Sequence, residues 1–364
     1  MMYANVRPVK QRGITLIEVM IAMVLALLLL GGTVSMFIAN KRIYREQEEM
    51  ARMQENARFA IGMIVHDIRM SGYTGCADDP RAVQNHVNGA TGANILAFDN
   101  AVEGSENGGN WAPGGSTDVT GSMLPGTDGI TVRYLDDTGL KVKPPFMTTT
   151  AADLHILTNN GLYQGEIVGV YDCEDVDIFQ ISNASPDTSG SVAHNTGTGT
   201  PGNATKNFQK KYQGDASIVK LVSRRYYIGT GAYGGPSLFR NELSRDRDDS
   251  DGDGNTTEVI QHSDEMIEGV ENMQILYGED TSGGDKIVDT YVTADNVTNW
   301  NDVLSVRIAL LMRTLKPNTQ IPPDTSVHTL LGGTAAGGAT VGPKNDYYRR
   351  RLFTMTVEIR NRSI

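Results

Sequence analysis

The chain has 364 residues, a formal charge of −11, 40 glycines and two cysteines. Its length allows one large domain or two with a substantial core, and its acidic excess argues against bulk binding of nucleic acid or anionic lipid, whose phosphates call for a basic surface. The glycines, with abundant Ser, Thr, Asn and Asp, point to a loop-rich β domain rather than a helical one.

The N-terminus carries Arg7, Lys10 and Arg12 and no acid before Gly13. From Val19 to Ala39 there is no charged residue, and Thr33 and Ser35 are the only hydroxyls. A run of about 20 apolar residues is what a helix needs to cross the ~30 Å hydrocarbon core of a bilayer. The basic flank keeps the N-terminus cytoplasmic and sends the rest outward. The bases end at Gly13, ahead of the apolar run, whereas a secretory signal is cut behind it. Glu18 stands at the start of the membrane helix, where a carboxylate is costly and needs a partner. If the chain is cut after Gly13, the new α-amine of Ile14 is a cation a few residues from Glu18. In a bundle of such helices, the amine of one subunit reaches Glu18 of its neighbour.

Past Ala39 the helix is expected to continue. Met50, Met53, Ala57, Ile61, Ile64 and Ile68 recur at three- and four-residue steps, one apolar stripe of an amphipathic helix. The opposite face carries Arg45–Glu49 and Glu48–Arg52 at i,i+4, a solvated face with weak support. Ser71-Gly72 ends the helix. The expected layout is a leader (1–13), a membrane or bundle half (14–40), an amphipathic half (41–72) and a β-rich head (73–364).

From Gly75 to Asp128 the sequence shows little periodicity and reads as long irregular connection. Strand-like runs follow at Ile130–Leu135, Asp153–Thr158, Glu166–Tyr171 and Val176–Ile181, with Asn160-Gly161 as a hairpin signal between the second and third. Ser185–Thr205 reads as a mobile loop. Further strands are expected at Ile218–Ile228, Ser237–Asn241, Met273–Tyr277, Lys286–Val292, Val303–Arg313 and Tyr347–Arg360, with a short helix or turn at Val297–Trp300 and a long loop from Lys316 to Asp346. One long helix followed by many strands is an α+β arrangement, an antiparallel sheet covered by the helix. Cys76 and Cys173 both lie beyond the apolar helix. In an oxidising compartment a Cys76–Cys173 disulfide is the main reading; two buried thiols are the alternative.

Catalytic and cofactor signatures are sparse. The six histidines are dispersed, and none makes a zinc motif. Gly197–Gly202 and Gly229–Gly234 both match G-x-G-x-x-G, but neither opens a helix, so both read as turns. Asp249, Asp251 and Asp253 followed by Gly254 reproduce the start of a calcium loop. The position for the bidentate Glu is Ile260, however, Glu258 comes two residues early, and the flanks are not helical. Two readings stay open: calcium held with a remote ligand, or a solvated acidic hairpin tip softened by Arg245 and Arg247. No other cofactor is expected. Arg349-Arg350-Arg351 enters an alternating strand, where neighbours point to opposite faces, so pairing with the acidic surplus or a subunit contact is the ordinary reading.

Arg12-Gly13-Ile14-Thr15-Leu16-Ile17-Glu18 resembles the prepilin signal of type IV pilins and type II secretion pseudopilins: a basic leader, Gly, an apolar residue (usually Phe, here Ile14), then Thr-Leu-Ile-Glu. Asp67–Cys76, Tyr171-Asp172-Cys173, Ile267–Met273, Tyr277–Asp280, Trp300 with Val306–Leu311, and Arg350–Arg362 are similar to the PilW-type minor pilins of type IV pili. The resemblance implies a pilin-like fold and a noncatalytic subunit. A prepilin peptidase would cut after Gly13 and methylate Ile14, with Glu18 forming the assembly salt bridge. It implies priming of pilus assembly with other minor pilins, the major pilin and the inner-membrane assembly machinery. The protein would wait in the inner membrane with its head in the periplasm, then sit at the pilus tip beneath a large adhesin. The rivals are a type II secretion pseudopilin, and an adhesin acting directly through the loops Gly104–Asp128, Ser185–Thr205 and Lys316–Asp346.

Overall fold

The computed structural model describes residues 13–75, 83–90, 95–98, 100–108, 123–245, 259–282 and 284–361. The chain divides into two compact units between Arg52 and Met53. A single helix, α1 (Leu16–Met70), supplies nearly all described residues of the first unit and opens the second. It contains no proline and is rich in Ala, Leu, Met, Glu and Arg, all good helix formers. Its 55 residues make it ~80 Å long at 1.5 Å per residue. In the first unit its apolar side chains are bare: Leu27, Leu28 and Leu29 are 68%, 68% and 71% exposed. This is the stretch that, among the described residues, is long and apolar enough to cross a membrane.

In the second unit the helix turns one stripe inward, burying Met53, Ala57, Ala60, Ile64, Val65, Asp67 and Ile68. Met50 and Ile61, expected on that stripe, are half-buried; Ala60 and Val65 take the inner positions. The helix stops where expected. The Ser71 hydroxyl donates to the Ile68 carbonyl at 2.6 Å, and Gly72 adopts φ 74°, the left-handed turn that glycine permits at a helix end. Gly72 N–H then donates to Arg133 O at 2.9 Å, and Leu135 N–H to Tyr73 O at 2.8 Å, so the outgoing chain runs along the sheet.

The head holds a larger and a smaller sheet. The larger has eight strands: β1 (Val83–Asn85), β2 (Val102–Ser105), β3 (Gly129–Lys141), β5 (Ile167–Tyr171), β6 (Val176–Gln180), β8 (Ser217–Thr230), β9 (Pro236–Arg245) and β10 (Val259–Glu268), numbered with β4 (Leu154–His155) and β7 (Ser191–Val192), which pair apart from it. Its order is β1-β6-β5-β8-β3-β2. Along its far edge β8 pairs first with β5 (Ser217–Lys220) and then with β9 (Arg224–Thr230). All its pairings are antiparallel except β1 with β6. The smaller sheet has the order β12-β11-β13-β16, from β11 (Val270–Glu279), β12 (Thr290–Val292), β13 (Val303–Arg313) and β16 (Arg350–Glu358). A two-residue hairpin, β14 (His328–Thr329) with β15 (Thr340–Val341), interrupts the long loop before β16. Beside it Leu330 packs on Ala309 and Leu311.

Several expectations change. β4 pairs with β7, not with β5, so Asn160-Gly161 is not a hairpin turn. Its side chain instead donates to the carbonyls of Leu157 and Pro186 at 2.8 and 2.9 Å, pinning the loop against a short helix, α2 (Pro186–Ser189). The Ser185–Thr205 loop is tethered too, since Asn203 and Gln180 exchange hydrogen bonds at 2.7 and 2.8 Å. The segment 75–128 contains β1 and β2, too short to show a period. β10 escapes the period-2 test as well: it joins the sheet through β9 alone, so most of its residues are only half-buried or exposed. Of Lys286–Val292 only the last three residues pair. Of Gly229–Gly234, read as a turn, the first two residues still pair in β8, and the turn to β9 runs from Gly231 to Gly235.

Candidate functional site

Gly13 and Ile14 lie on exposed, non-helical chain immediately before α1. Ile14 is 77% exposed. Thr15 is the N-cap and Glu18 the third helical residue, and the two close a reciprocal box. The Thr15 hydroxyl accepts from Glu18 N–H at 3.3 Å, and a Glu18 carboxylate oxygen accepts from Thr15 N–H at 3.3 Å and from its hydroxyl at 3.4 Å. Two donors left open by the helix end are satisfied this way, and the carboxylate sits where the helix dipole favours an anion. The spacing T-x-x-E announces this box in the sequence. Reading Glu18 only as a partner for another subunit misses it.

The second unit has its own polar lock. Asp67, 1% exposed, points from α1 into the head. It accepts from the Tyr134 hydroxyl on β3 (3.1 Å), from Arg224 Nη1 on β8 (3.0 and 3.2 Å) and from the Tyr226 hydroxyl on β8 (2.6 Å). Arg224 also holds Glu242 on β9 at 3.0 Å, and Glu242 holds Arg240 at 3.3 Å. Burial, together with the Asp67 charge, pushes both tyrosines well above their usual range, so they act as permanent donors. At the helix end Asn361, just past β16, donates to the carbonyls of Met70, the last residue of α1, and Ser71, the first beyond it, at 3.4 and 3.2 Å.

Cys173 is disulfide-bonded; Cys76 lies outside the described residues. The chain does bring its neighbour Gly75 against Tyr171, two residues before Cys173. A side chain at Gly75, whose φ is 80°, would collide with the Tyr171 ring. Asp249, Asp251 and Asp253 also lie outside the described residues; the strands that flank them pair through Val259 and Arg245. The acids Asp172, Glu174 and Asp175 converge elsewhere, but the Lys210 ammonium fills their centre at 2.9, 2.7 and 3.1 Å. The Arg350 side chain is 1% exposed and pairs with Glu271, Asp346 and Asp324, so within the Arg349–Arg351 run this residue meets the acidic surplus, while Arg351 lies over the Phe353 ring. Burial opposes the Asp324 charge, yet donors from Ser326, Arg350 and His328 outweigh it and hold that pKa down to about 2.

Two buried polar groups sit apart from these. His86 meets Asp177, which also accepts from the Tyr212 hydroxyl at 2.7 Å and from Gln209 N–H at 3.2 Å. His86 and Asp177 are almost wholly buried, and they tie β6 to the segment around Tyr212. Asp128 accepts from Asn107 N–H and Ile275 N–H at 3.1 and 2.9 Å. Burial first, then the nearby Glu106 charge, pushes its pKa up to about 8.

One long N-terminal helix, apolar and exposed over its first half, with a large, mostly antiparallel β-sheet head defines the class: a pilin-like α+β fold. Residues 225–361 match the family model described as Type IV Pilus-assembly protein W, and residues 9–34 match the prokaryotic N-terminal methylation motif. Together they match a PilW-type minor pilin with a prepilin signal. No curated protein and no solved structure matches the chain significantly.

Proposed function

We propose that this chain is a noncatalytic subunit that primes type IV pilus assembly and sits at or near the pilus tip. The observation that carries the reading is the methylation motif lying on an exposed Gly13-Ile14 peptide ahead of a bare apolar helix. A prepilin peptidase removes residues 1–13 and methylates Ile14. The helix waits in the inner membrane, with the head in the periplasm. Glu18 is held meanwhile by Thr15, and it turns to the terminal amine of a neighbouring pilin on assembly. A Cys76–Cys173 disulfide closes the segment that follows α1. The head, with its long loops, is bulky for a repeating shaft subunit and suits a tip complex with other minor pilins beneath an adhesin.

Intact-mass and N-terminal analysis of the membrane-extracted protein, with and without the peptidase, tests the first step. A chain beginning at methylated Ile14 supports it; an uncut chain in the presence of the peptidase overturns it. Deletion of the gene is expected to abolish surface pili and twitching while exoprotein secretion stays normal. The opposite pattern would assign the chain to a secretion system.

A further inference from the structure

Along α1 the residues Phe59, Gly62, Met63 and His66 follow one another at helical spacing and form a stripe beside the buried one. With Arg58, Asp67, Arg224, Tyr226 and Arg240 they line a groove of about 490 Å³ between the helix and β8–β9. Three features of this groove have no role in the fold. Phe59 is 60% exposed. Gly62 sits in mid-helix, where glycine costs ~0.5–1 kcal/mol relative to alanine, yet a Cβ there would meet nothing within 4 Å, so no contact inside the chain requires it. Arg240 Nε is buried with no partner among the described residues.

The charge is also out of character for an acidic chain. Arg58, Arg224, Arg240 and His66 line the groove with a single carboxylate, Asp67, and Glu242 lies against Arg224 and Arg240. Asp67 is already taken by Arg224, Glu242 is shared between Arg224 and Arg240, and Arg58 is exposed. A notch without a side chain, an aromatic wall and guanidinium groups with spare donors suit one kind of occupant, an extended protein segment carrying a carboxylate, which an arginine can grip in bidentate fashion. We propose that this groove receives an acidic segment of another minor pilin. The proposal rests on the pilus-subunit reading.

The test uses the full-length, affinity-tagged protein produced in its own host with the other minor pilins, extracted from the membrane. Gly62→Ala is the control: it should leave thermal unfolding unchanged or slightly raised, with full recovery of the other minor pilins. Gly62→Glu and Arg58→Glu should each lower that recovery about tenfold or more, the scale of one lost charge-assisted contact. A lysine substitution at one acid of a recovered minor pilin should restore binding to Arg58→Glu. Wild-type recovery with both glutamate variants would overturn the proposal, as would loss of self-association with recovery of the minor pilins intact. If Gly62→Glu lowers the unfolding temperature, the exposed Arg58→Glu variant decides alone. Pili that persist after deletion of the whole gene would sink the pilus reading itself. Pili lost on deletion but normal in both glutamate variants would sink the groove alone.

Discussion

Replacing Asp67 by alanine should detach the amphipathic half of α1 from the larger sheet. The carboxylate takes four hydrogen bonds from three side chains, so its loss strands two tyrosine hydroxyls. Each buried hydroxyl left without an acceptor costs ~1–3 kcal/mol. Arg224 loses one of two carboxylates, but it keeps Glu242 at 3.0 Å and is 26% exposed, so its share is smaller than for a sealed ion pair. A total of ~3–5 kcal/mol follows, the range seen when one partner of a buried pair is removed. That is a large part of the ~5–15 kcal/mol that holds a typical domain. Urea unfolding of the full chain in detergent, followed by tryptophan fluorescence, measures it. Tyr226→Phe should cost less, ~1 kcal/mol, because it leaves no buried group unpaired except one carboxylate lone pair. A loss under ~0.5 kcal/mol for Asp67→Ala would refute this account and would show that helix packing rests on Ile64 and Ile68 alone.

Other outcomes are equally specific. Glu18→Gln keeps an acceptor for Thr15 but removes the charge, whereas Glu18→Ala removes both. Both should leave cleavage after Gly13 intact by mass analysis and both should abolish pili, whereas normal piliation with the Gln variant would show that the cap, and not the ion pair, is what assembly needs. Asp128 binds its proton more tightly in the folded head than at its ordinary value of 3.8. The folded state therefore holds the extra proton between about pH 4 and 8, and stability should fall as pH rises through that window, by ~1.4 kcal/mol per unit at the steepest. Asp128→Asn should flatten the dependence of the unfolding temperature on pH; an unchanged slope would place the titrating group elsewhere. Cys173→Ser opens a loop of ~100 residues if Cys76 is the partner and should cost ~2–5 kcal/mol, read as a lower unfolding midpoint that reductant does not lower further.

What could be read from the sequence was mostly what is written contiguously. The leader, the apolar run, the T-L-I-E signal and the long strands β3, β8, β11 and β13 each declare themselves within a window of a few residues. The elements that escaped are defined by distant partners. β1 finds β6 about 90 residues on, and β10 reads as polar because it joins the sheet through β9 alone. Asn160-Gly161 misled because Asx chemistry fits a hairpin turn and a loop clasp equally well.

The Asp67 lock shows the same limit from another side. Its partners lie 67, 157 and 159 residues away, so no local pattern names them. A weaker sign was nevertheless present: Asp67 falls three residues after Ile64, inside the apolar stripe, where an unpaired carboxylate could not be buried. A charged residue at a core position of an amphipathic helix predicts its own partners, a cation and hydroxyl donors on whatever surface the helix covers. Arg224, Tyr134 and Tyr226 are that set. The exposed stripe beside it carries the converse sign, since Gly62 and Phe59 sit where a helix that met only water would favour charged residues and alanine. A buried charge inside the apolar stripe and a bare glycine outside it are both local departures from the amphipathic pattern. The first is resolved within the chain, so the second is where a partner should be sought.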